Sequence, residues 1–169
     1  MKKPSFLGKM KKERKLELVD PSEEICKSYL QKSDNCLKSA KLLFEHNLYE
    51  NSVSMSYYAM YNSLTALLFK NGIKCKNHAG SIIVFKKLFG RKDMFKLISF
   101  AKEERIDKQY YVTSKKNFVL TRESAKDMLM KAEDFLVKMK LIIAEVRNEQ
   151  IDDVRKKFEH ICQGIAVYL

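Results

Sequence analysis

Residues that interrupt secondary structure are scarce in this chain of 169 residues, which has two prolines, five glycines and no tryptophan. Both prolines, Pro4 and Pro21, precede the first long stretch of helical periodicity. This scarcity excludes a loop-rich fold, because such a fold needs turn residues at short intervals. The many lysines, leucines, alanines, methionines and glutamates favour helix. The composition therefore predicts an all-α protein.

Paired cysteines and long apolar runs are also lacking. No Cys-x-x-Cys pair occurs, and the cysteine spacing matches no disulfide scaffold. No apolar run is long enough to cross a membrane and no secretory signal is present, so we expect a reduced, cytoplasmic protein without membrane contact. Cys75 and His78 have the spacing of half a zinc site, but no second pair lies nearby in sequence. We therefore expect no metal and no cofactor.

Acidic residues are outnumbered, 21 against 33 basic ones, which gives a formal net charge of +12. Such a charge attracts phosphate, so a nucleic acid or an acidic partner is one interpretation. Scattered lysines that serve solubility are the other. Residues 1–19 hold seven basic residues against Glu13 and Glu17. We interpret them as a basic, flexible arm that either contacts RNA phosphates or is a solvated tail.

Apolar residues recur at helical spacing from residue 20 to residue 148. They predict an up-down four-helix bundle whose third helix is split, followed by a short helix in an extension at 149–169. The first helix is expected to be capped by Asp20, with Pro21 at its first position and Glu23 completing a capping box. The predicted helices cover about residues 20–47, 49–71, 78–89, 93–104, 121–148 and 151–163, with 105–120 irregular.

The second predicted helix is apolar on nearly every face, so we expect it to be the innermost helix of the bundle, ended by Gly72. Tyr57, Tyr58 and Tyr61 lie on adjacent faces and cannot all enter one small core. We assign them to a dimer interface or a groove, because tyrosine buries area while keeping a polar tip. A position at the rim of the core, with each hydroxyl hydrogen-bonded, is the alternative.

Several motifs follow one another in an order that resembles the HEPN superfamily (higher eukaryotes and prokaryotes nucleotide-binding). The resemblance covers about residues 22–140. It implies a helical bundle that often forms a homodimer and is often encoded beside a minimal nucleotidyltransferase, with which it forms a toxin–antitoxin pair. The segments that carry it are Tyr57–Asn62, Ala66–Leu68, Gly72, His78–Gly80, Ile82, Phe85, Arg105–Tyr111, Thr121–Ala125 and Ala132–Leu136.

The resemblance also implies a place for catalysis, and this chain departs from the family pattern there. Toxin members are metal-independent endoribonucleases with an Arg-x(4–6)-His motif before the last core helix, and two copies meet to form one cleft. Here Arg105 is followed at those spacings by Tyr110, Tyr111 and Val112, none of which is histidine. Tyrosine is a poor general base at neutral pH because its pKa is about 10.

The candidate residues gather around this motif. Arg105, Tyr110, Tyr111 and His78 are the catalytic candidates, and His78 either caps the third helix with Asn77 or meets Arg105 in space. Interleaved basic and aromatic side chains hold single-stranded RNA by charge and stacking. The predicted nucleic-acid surface is Arg105, Lys108, Tyr110, Tyr111, Lys115 and Lys116.

Three functions remain in competition. The favoured one is a dimeric HEPN-like module that binds RNA, a nucleotidyltransferase partner or both. The second is a metal-independent endoribonuclease with a diverged site around Arg105, and the third is a structural dimerisation adaptor. A literal Arg-x4-His match, Arg155 to His160, lies after the last core helix, and we interpret it as coincidence.

Overall fold

Short polar side chains and positive-φ glycines set the limits of most helices in this chain. The computed structural model describes residues 5–110 and 120–163, with backbone only at 106–110. Within these ranges it is all-α apart from two very short strands. The elements are α1 (Phe6–Lys12), β1 (Leu16–Leu18), α2 (Glu23–Glu45), α3 (Tyr49–Lys70), β2 (Ile73–Cys75), α4 (His78–Phe89), α5 (Lys92–Tyr110), α6 (Arg122–Glu145) and α7 (Asn148–Cys162).

The starts of α1, α2, α4 and α6 follow the capping rule, α3 begins without a side-chain cap, and one predicted cap is wrong. Thr121 accepts a hydrogen bond from the Ser124 amide, which confirms the predicted start of α6. The expected cap Asp20 does not cap α2; Ser22 does, by accepting a hydrogen bond from the Ile25 amide. Helices α3, α4 and α7 begin at Tyr49, His78 and Asn148, within three residues of the predicted starts at 49, 78 and 151.

The position of the α2 cap has a long-range cause. The amides of Val19 and Ser22 donate to the carbonyls of Gly72 and Phe69, at 2.8 and 3.1 Å. These bonds tie residues 19–22 to the end of α3. The backbone of Ser22 is consequently extended, and the chain turns helical only after it.

Helix α3 is the innermost helix, as its apolar sequence predicts. It packs against α2, α4, α5 and α6. Leu64, Ala66 and Leu67 are fully buried, and so are Tyr57 and Met60. The helix ends as expected, since Gly72 takes a φ of +68°, in the left-handed region that glycine enters without strain.

Small side chains bring α2 and α3 close together. Ser33 and Ala40, one heptad apart on α2, are fully buried against α3. The Ser33 hydroxyl donates to the Ala59 carbonyl at 2.7 Å, and the Ser52 hydroxyl donates to the Ala40 carbonyl at 2.8 Å. We call this contact the α2–α3 seam, defined by Ser33, Ala40, Ser52 and Ala59.

The third bundle position is split as predicted, because Gly90 ends α4 with a φ of +63° and α5 begins at Lys92. Helix α5 runs further than expected. Its backbone is helical to Tyr110, so the prediction that the chain becomes irregular from residue 105 is wrong for residues 105–110. Helix α6 closes the bundle over α2, with ion pairs joining Lys41 to Glu133 at 2.5 Å and Lys140 to Asp34 at 2.7 Å.

The prediction of a flexible arm at 1–19 is wrong for residues 5–18, which are folded. Leu7, Met10 and Leu16 are at most 4% exposed. Helix α1 packs on α7 and α4, and β1 pairs antiparallel with β2 in the register Leu16 to Cys75. The local sequence does not predict that residues 5–18 are folded, because they are buried by α4, α7 and β2, which are distant in sequence. The proposed limits at residues 20 and 148 stay a prediction.

Candidate functional site

A histidine and three tyrosines meet where the start of α4 lies against α3. Asn77 caps α4 by accepting a hydrogen bond from the Gly80 amide, so the alternative in which His78 serves as the cap is not needed. His78 is the first helical residue, and its ring is turned toward α3. Tyr57 and Tyr61 are one helical turn apart and therefore share the face that meets it.

The His78 ring is held on two sides. Its Nδ1 lies 2.7 Å from the Tyr57 hydroxyl, and its plane stacks on Tyr61 with centroids 3.7 Å apart and 12° between planes. Tyr58 approaches edge-on at 6.4 Å. The Tyr61 hydroxyl is 3.4 Å from the hydroxyl of Ser81, one turn further along α4. We call Tyr57, Tyr58, Tyr61 and His78 the aromatic cluster.

Arg105 adds a cation to this cluster from α5. Its guanidinium carbon lies 4.7 Å from the Tyr58 ring centroid and 5.6 Å from that of Tyr57. A guanidinium on an aromatic face gains about 1 kcal/mol where it is partly desolvated. Its Nε is buried and has no hydrogen-bond partner among the described residues. A buried donor without a partner is costly.

The charges around His78 keep its imidazole neutral. Burial lowers the pKa of His78, and the cations Arg105 and Lys102 lower it further. Burial also raises the pKa of Tyr57 and Tyr61, so both phenols stay protonated at neutral pH. When Tyr57 donates its proton to Nδ1, the imidazole proton resides on Nε2. The site therefore combines one fixed cation, one neutral imidazole and stacked aromatic rings.

Comparison with known proteins agrees with this architecture. A family model described as "HEPN domain" matches residues 26–142. The chain belongs to the HEPN family. The match covers α2 to α6 and thus every residue of the aromatic cluster and Arg105, whereas α1, β1 and α7 lie outside it.

Relatives from three prokaryotes cover most of the chain. A protein of Methanocaldococcus jannaschii named "Putative toxin" is 31% identical over 75% of this chain and 94% of its own length. A "UPF0332 protein" of Pyrococcus horikoshii is 27% identical over 89% of this chain and 99% of its own length. A "UPF0332 protein" of Thermotoga maritima is 25% identical over 76% and 98%.

The candidate residues of this HEPN protein fall into two groups. His78 and Arg105, which are 27 positions apart in sequence, contact the same two tyrosine rings. Lys108 and Tyr110 belong to the last two turns of α5, where only the backbone is described. The remaining predicted nucleic-acid residues, Tyr111, Lys115 and Lys116, lie outside the described residues.

The tyrosines assigned to a dimer interface differ in exposure. Tyr57 is 0% exposed within one protomer, so its assignment to an interface is wrong: its ring is enclosed by Tyr61, Tyr58 and His78. Tyr58 and Tyr61 are partly exposed. Their assignment to an interface stays a prediction.

Sequence reasoning missed two members of this site. Lys102 lowers the pKa of His78. It stands three residues before Arg105 and so on the same face of α5, and this spacing could have predicted its place near the site. Ser81 of α4 contacts the Tyr61 hydroxyl, and the local sequence does not predict that contact.

The second arginine–histidine match has a structural use. The guanidinium of Arg155 donates to the carbonyls of Val19 and Gly72, at 2.6 and 3.2 Å, and so fastens α7 to the turn between α3 and β2. Nη1 of Arg155 is therefore already used in hydrogen bonds to the backbone. Cys75, the other half of the zinc-type pair, lies 3.3 Å from the Asn77 carbonyl. Among residues 5–105 and 120–163, no three His, Cys, Asp or Glu side chains converge as a metal site would require.

One further finding concerns membranes. In the part of the chain that the structure describes, no helix combines the length and apolarity needed to span a bilayer.

Proposed function

We propose that this HEPN protein binds single-stranded RNA through Arg105 and the aromatic cluster, as the toxin-side member of a toxin–antitoxin pair. The observation that carries the proposal is the Arg105 guanidinium, which lies on two tyrosine rings with a buried, unpartnered Nε. Arg105 as a whole is partly exposed, so its guanidinium can donate to a phosphate oxygen, and a base can stack where Tyr58 is partly exposed. The jannaschii relative named "Putative toxin" supports the toxin side of the proposal.

The test is RNA binding by fluorescence anisotropy, with Arg105→Ala compared against Arg122→Ala. Arg122 is a matched control because its guanidinium also lies on an aromatic ring, 5.7 Å from the Phe44 centroid, outside the cluster. We expect Arg105→Ala to weaken binding by about tenfold, and to flatten the salt dependence, whereas Arg122→Ala leaves both near wild type. Equal affinities for the two variants would contradict the proposal.

The partner and the assembly are part of the same proposal. We propose a minimal nucleotidyltransferase as the antitoxin and a homodimer that brings two copies of Arg105 to one cleft. Light scattering of the purified chain then gives twice the protomer mass of 19.8 kDa. Co-expression with the nucleotidyltransferase encoded nearest to this chain yields a stable complex. A monomer at all concentrations would rule out the shared cleft.

Metal-independent RNA cleavage is the second candidate, and one observation favours it. A neutral histidine and an arginine contact the same tyrosine ring, and this supports a catalytic pair formed in space without the usual sequence spacing. In the tautomer whose Nδ1–H donates to the Tyr57 hydroxyl, Nε2 carries the lone pair and can take a proton from a ribose 2′-hydroxyl. An arginine can stabilise the charge that develops on phosphate. Cleavage in the presence of a chelator, lost in both Arg105→Ala and His78→Gln, would establish this activity. Intact RNA with wild-type protein would rule it out.

A further inference from the structure

Basic residues are concentrated on the segment that leads into the site. Residues 70–92 contain no aspartate or glutamate. The folded N-terminal segment, which lies outside the HEPN match, packs directly on this part of the chain. The basic residues of the segment are Lys70, Lys74, Lys76, Lys86, Lys87, Arg91 and Lys92.

The pairing of β1 with β2 brings two lysines face to face. The Lys76 amide donates to the Lys15 carbonyl at 2.8 Å, which continues the ladder one residue beyond the pair Leu16 and Cys75. Residues opposite each other in an antiparallel pair project to the same side of the sheet, and like charges there repel. Glu13 contacts Lys15 at 2.7 Å and offsets one of these charges. Lys76 is exposed and has no ion pair among the described residues.

Arg14, next to Lys15, adopts an unfavourable backbone conformation. Its φ is +53°, in the left-handed region that residues with a Cβ seldom enter. The side chain is exposed and makes no ion pair within the part of the chain that the structure describes. This conformation belongs to the turn that ends α1, in which the amides of Arg14 and Lys15 donate to the carbonyls of Lys11 and Met10 at 3.1 and 2.9 Å. Of the neighbouring basic side chains Arg14, Lys15 and Lys76, only Lys15 has an ion pair among the described residues, and such a basic patch attracts anions.

We propose that Arg14, Lys15 and Lys76 bind phosphates of the same RNA strand that Arg105 holds. We call these three residues the strand-end cluster. Lys76 is two residues from His78, and Met10 of α1 packs against Gly80 in the first turn of α4. The N-terminal segment therefore extends the RNA path from the aromatic cluster to β1. This inference rests on the proposed RNA binding and adds the direction in which the strand leaves the site.

The test compares two double variants of the full chain in anisotropy titrations with an RNA of about 20 nucleotides. Arg14→Gly with Lys76→Gln removes two charges of the strand-end cluster. Lys38→Gln with Lys126→Gln removes two exposed lysines from α2 and α6 that make no ion pair among the described residues. Two lost phosphate contacts should lower the slope of log K against log salt by about 1.4, and affinity by about tenfold at about 0.1 M salt. The control pair should change neither by a comparable amount.

Glycine is chosen at position 14 so that the substitution does not lower the stability of the fold. Glycine adopts a φ of +53° without strain, so Arg14→Gly should melt at or above the wild-type temperature. Weakened RNA binding in a variant of undiminished stability can only come from the lost charge.

The outcomes separate this inference from the proposed function. If the strand-end variant matches its control while Arg105→Ala loses affinity, the strand-end cluster is not part of the RNA path and the proposed function stands. If neither variant loses affinity, both proposals are wrong. If the wild type binds phosphatidylserine vesicles through the strand-end cluster but does not bind RNA, the ligand is a membrane surface and the inference is overturned.

Discussion

The two opposite faces of α3 differ in how their hydrogen-bonding groups are used. Toward α2, the hydroxyls of Ser33 and Ser52 each reach a backbone carbonyl of the other helix, so the polar groups of the α2–α3 seam are satisfied. Toward α4 and α5, Tyr57 meets a half-buried histidine and an arginine whose Nε has no described partner. The seam hydroxyls of Ser33 and Ser52 hold the two helices together, whereas the Arg105 Nε beside the second face has no partner among the described residues.

The charged side chains on the two sides of the bundle differ as well. Across α2 and α6, Asp34 and Glu133 pair with Lys140 and Lys41. Around the aromatic cluster, the charges that act on His78 are the cations Arg105 and Lys102. These two cations lower the affinity of the imidazole for a proton.

The largest expected effect comes from enlarging a residue in the α2–α3 seam. Ala59 is 0% exposed, so Ala59→Leu must separate α2 from α3 and should cost about 3 kcal/mol of the free energy of unfolding. For a domain of this size the melting temperature then falls by roughly 10 °C. Thermal melts followed by circular dichroism measure it. Ala144→Leu, on the exposed side of α6, is the control and should change little.

The second-largest effect is expected from removing the Arg155 guanidinium, which joins α7 to the carbonyls of Val19 and Gly72. Arg155→Met removes two hydrogen bonds to backbone carbonyls and should destabilise the fold by about 2 kcal/mol in chemical denaturation. RNA affinity should stay unchanged, and so should the affinity of His160→Ala. A loss of RNA binding or cleavage in both variants without loss of stability would show that the Arg155–His160 match is functional.

The pH dependence of stability should report the buried histidine. Because its folded pKa lies below the ordinary value of 6.5, the unfolded chain takes up a proton at a higher pH than the folded chain does. Stability contributed by neutral His78 is therefore complete above about pH 6.5 and is lost as pH falls toward the folded pKa. Melting temperatures measured from about pH 8 to 5 should fall less steeply in His78→Gln than in wild type. Identical slopes in the two proteins would refute the account.

The smallest effect is on the pKa of His78 itself. Arg105→Gln removes a cation that lowers this pKa, so the value should rise toward 6.5 in a titration followed by NMR. Arg122→Gln, which changes an arginine on α6, should leave it in place. An unchanged His78 pKa in Arg105→Gln would mean that the two side chains are not electrostatically coupled.

Local rules predicted the bundle because its signals are local. Thr121 and Gly72 begin and end helices by bonds and conformations that involve only their neighbours in sequence. The cap at Ser22 was not predicted, because Asp20 followed by Pro21 fits the same local rule. The bonds from Val19 and Ser22 to α3, which decide between them, span about fifty residues.

The folded N-terminal segment and the histidine contact escaped prediction for the same reason. Helix α1 is seven residues long and owes its order to contacts with α7, such as the ion pair of Lys11 with Glu159. His78 and Arg105 were expected to meet only as one of two alternatives. Tyr57, which joins them, was assigned to an interface because its sequence neighbours do not show which face of α3 turns inward.

The most direct test of the account follows the three histidines during an RNA titration. His46 ends α2, His160 lies in α7 and His78 lies in the aromatic cluster, so their imidazole NMR signals report on three separate places. We predict that RNA shifts the His78 signal in proportion to binding and leaves those of His46 and His160 in place. Saturated RNA binding with an unmoved His78 signal would contradict the assignment of the aromatic cluster and Arg105 as the binding site.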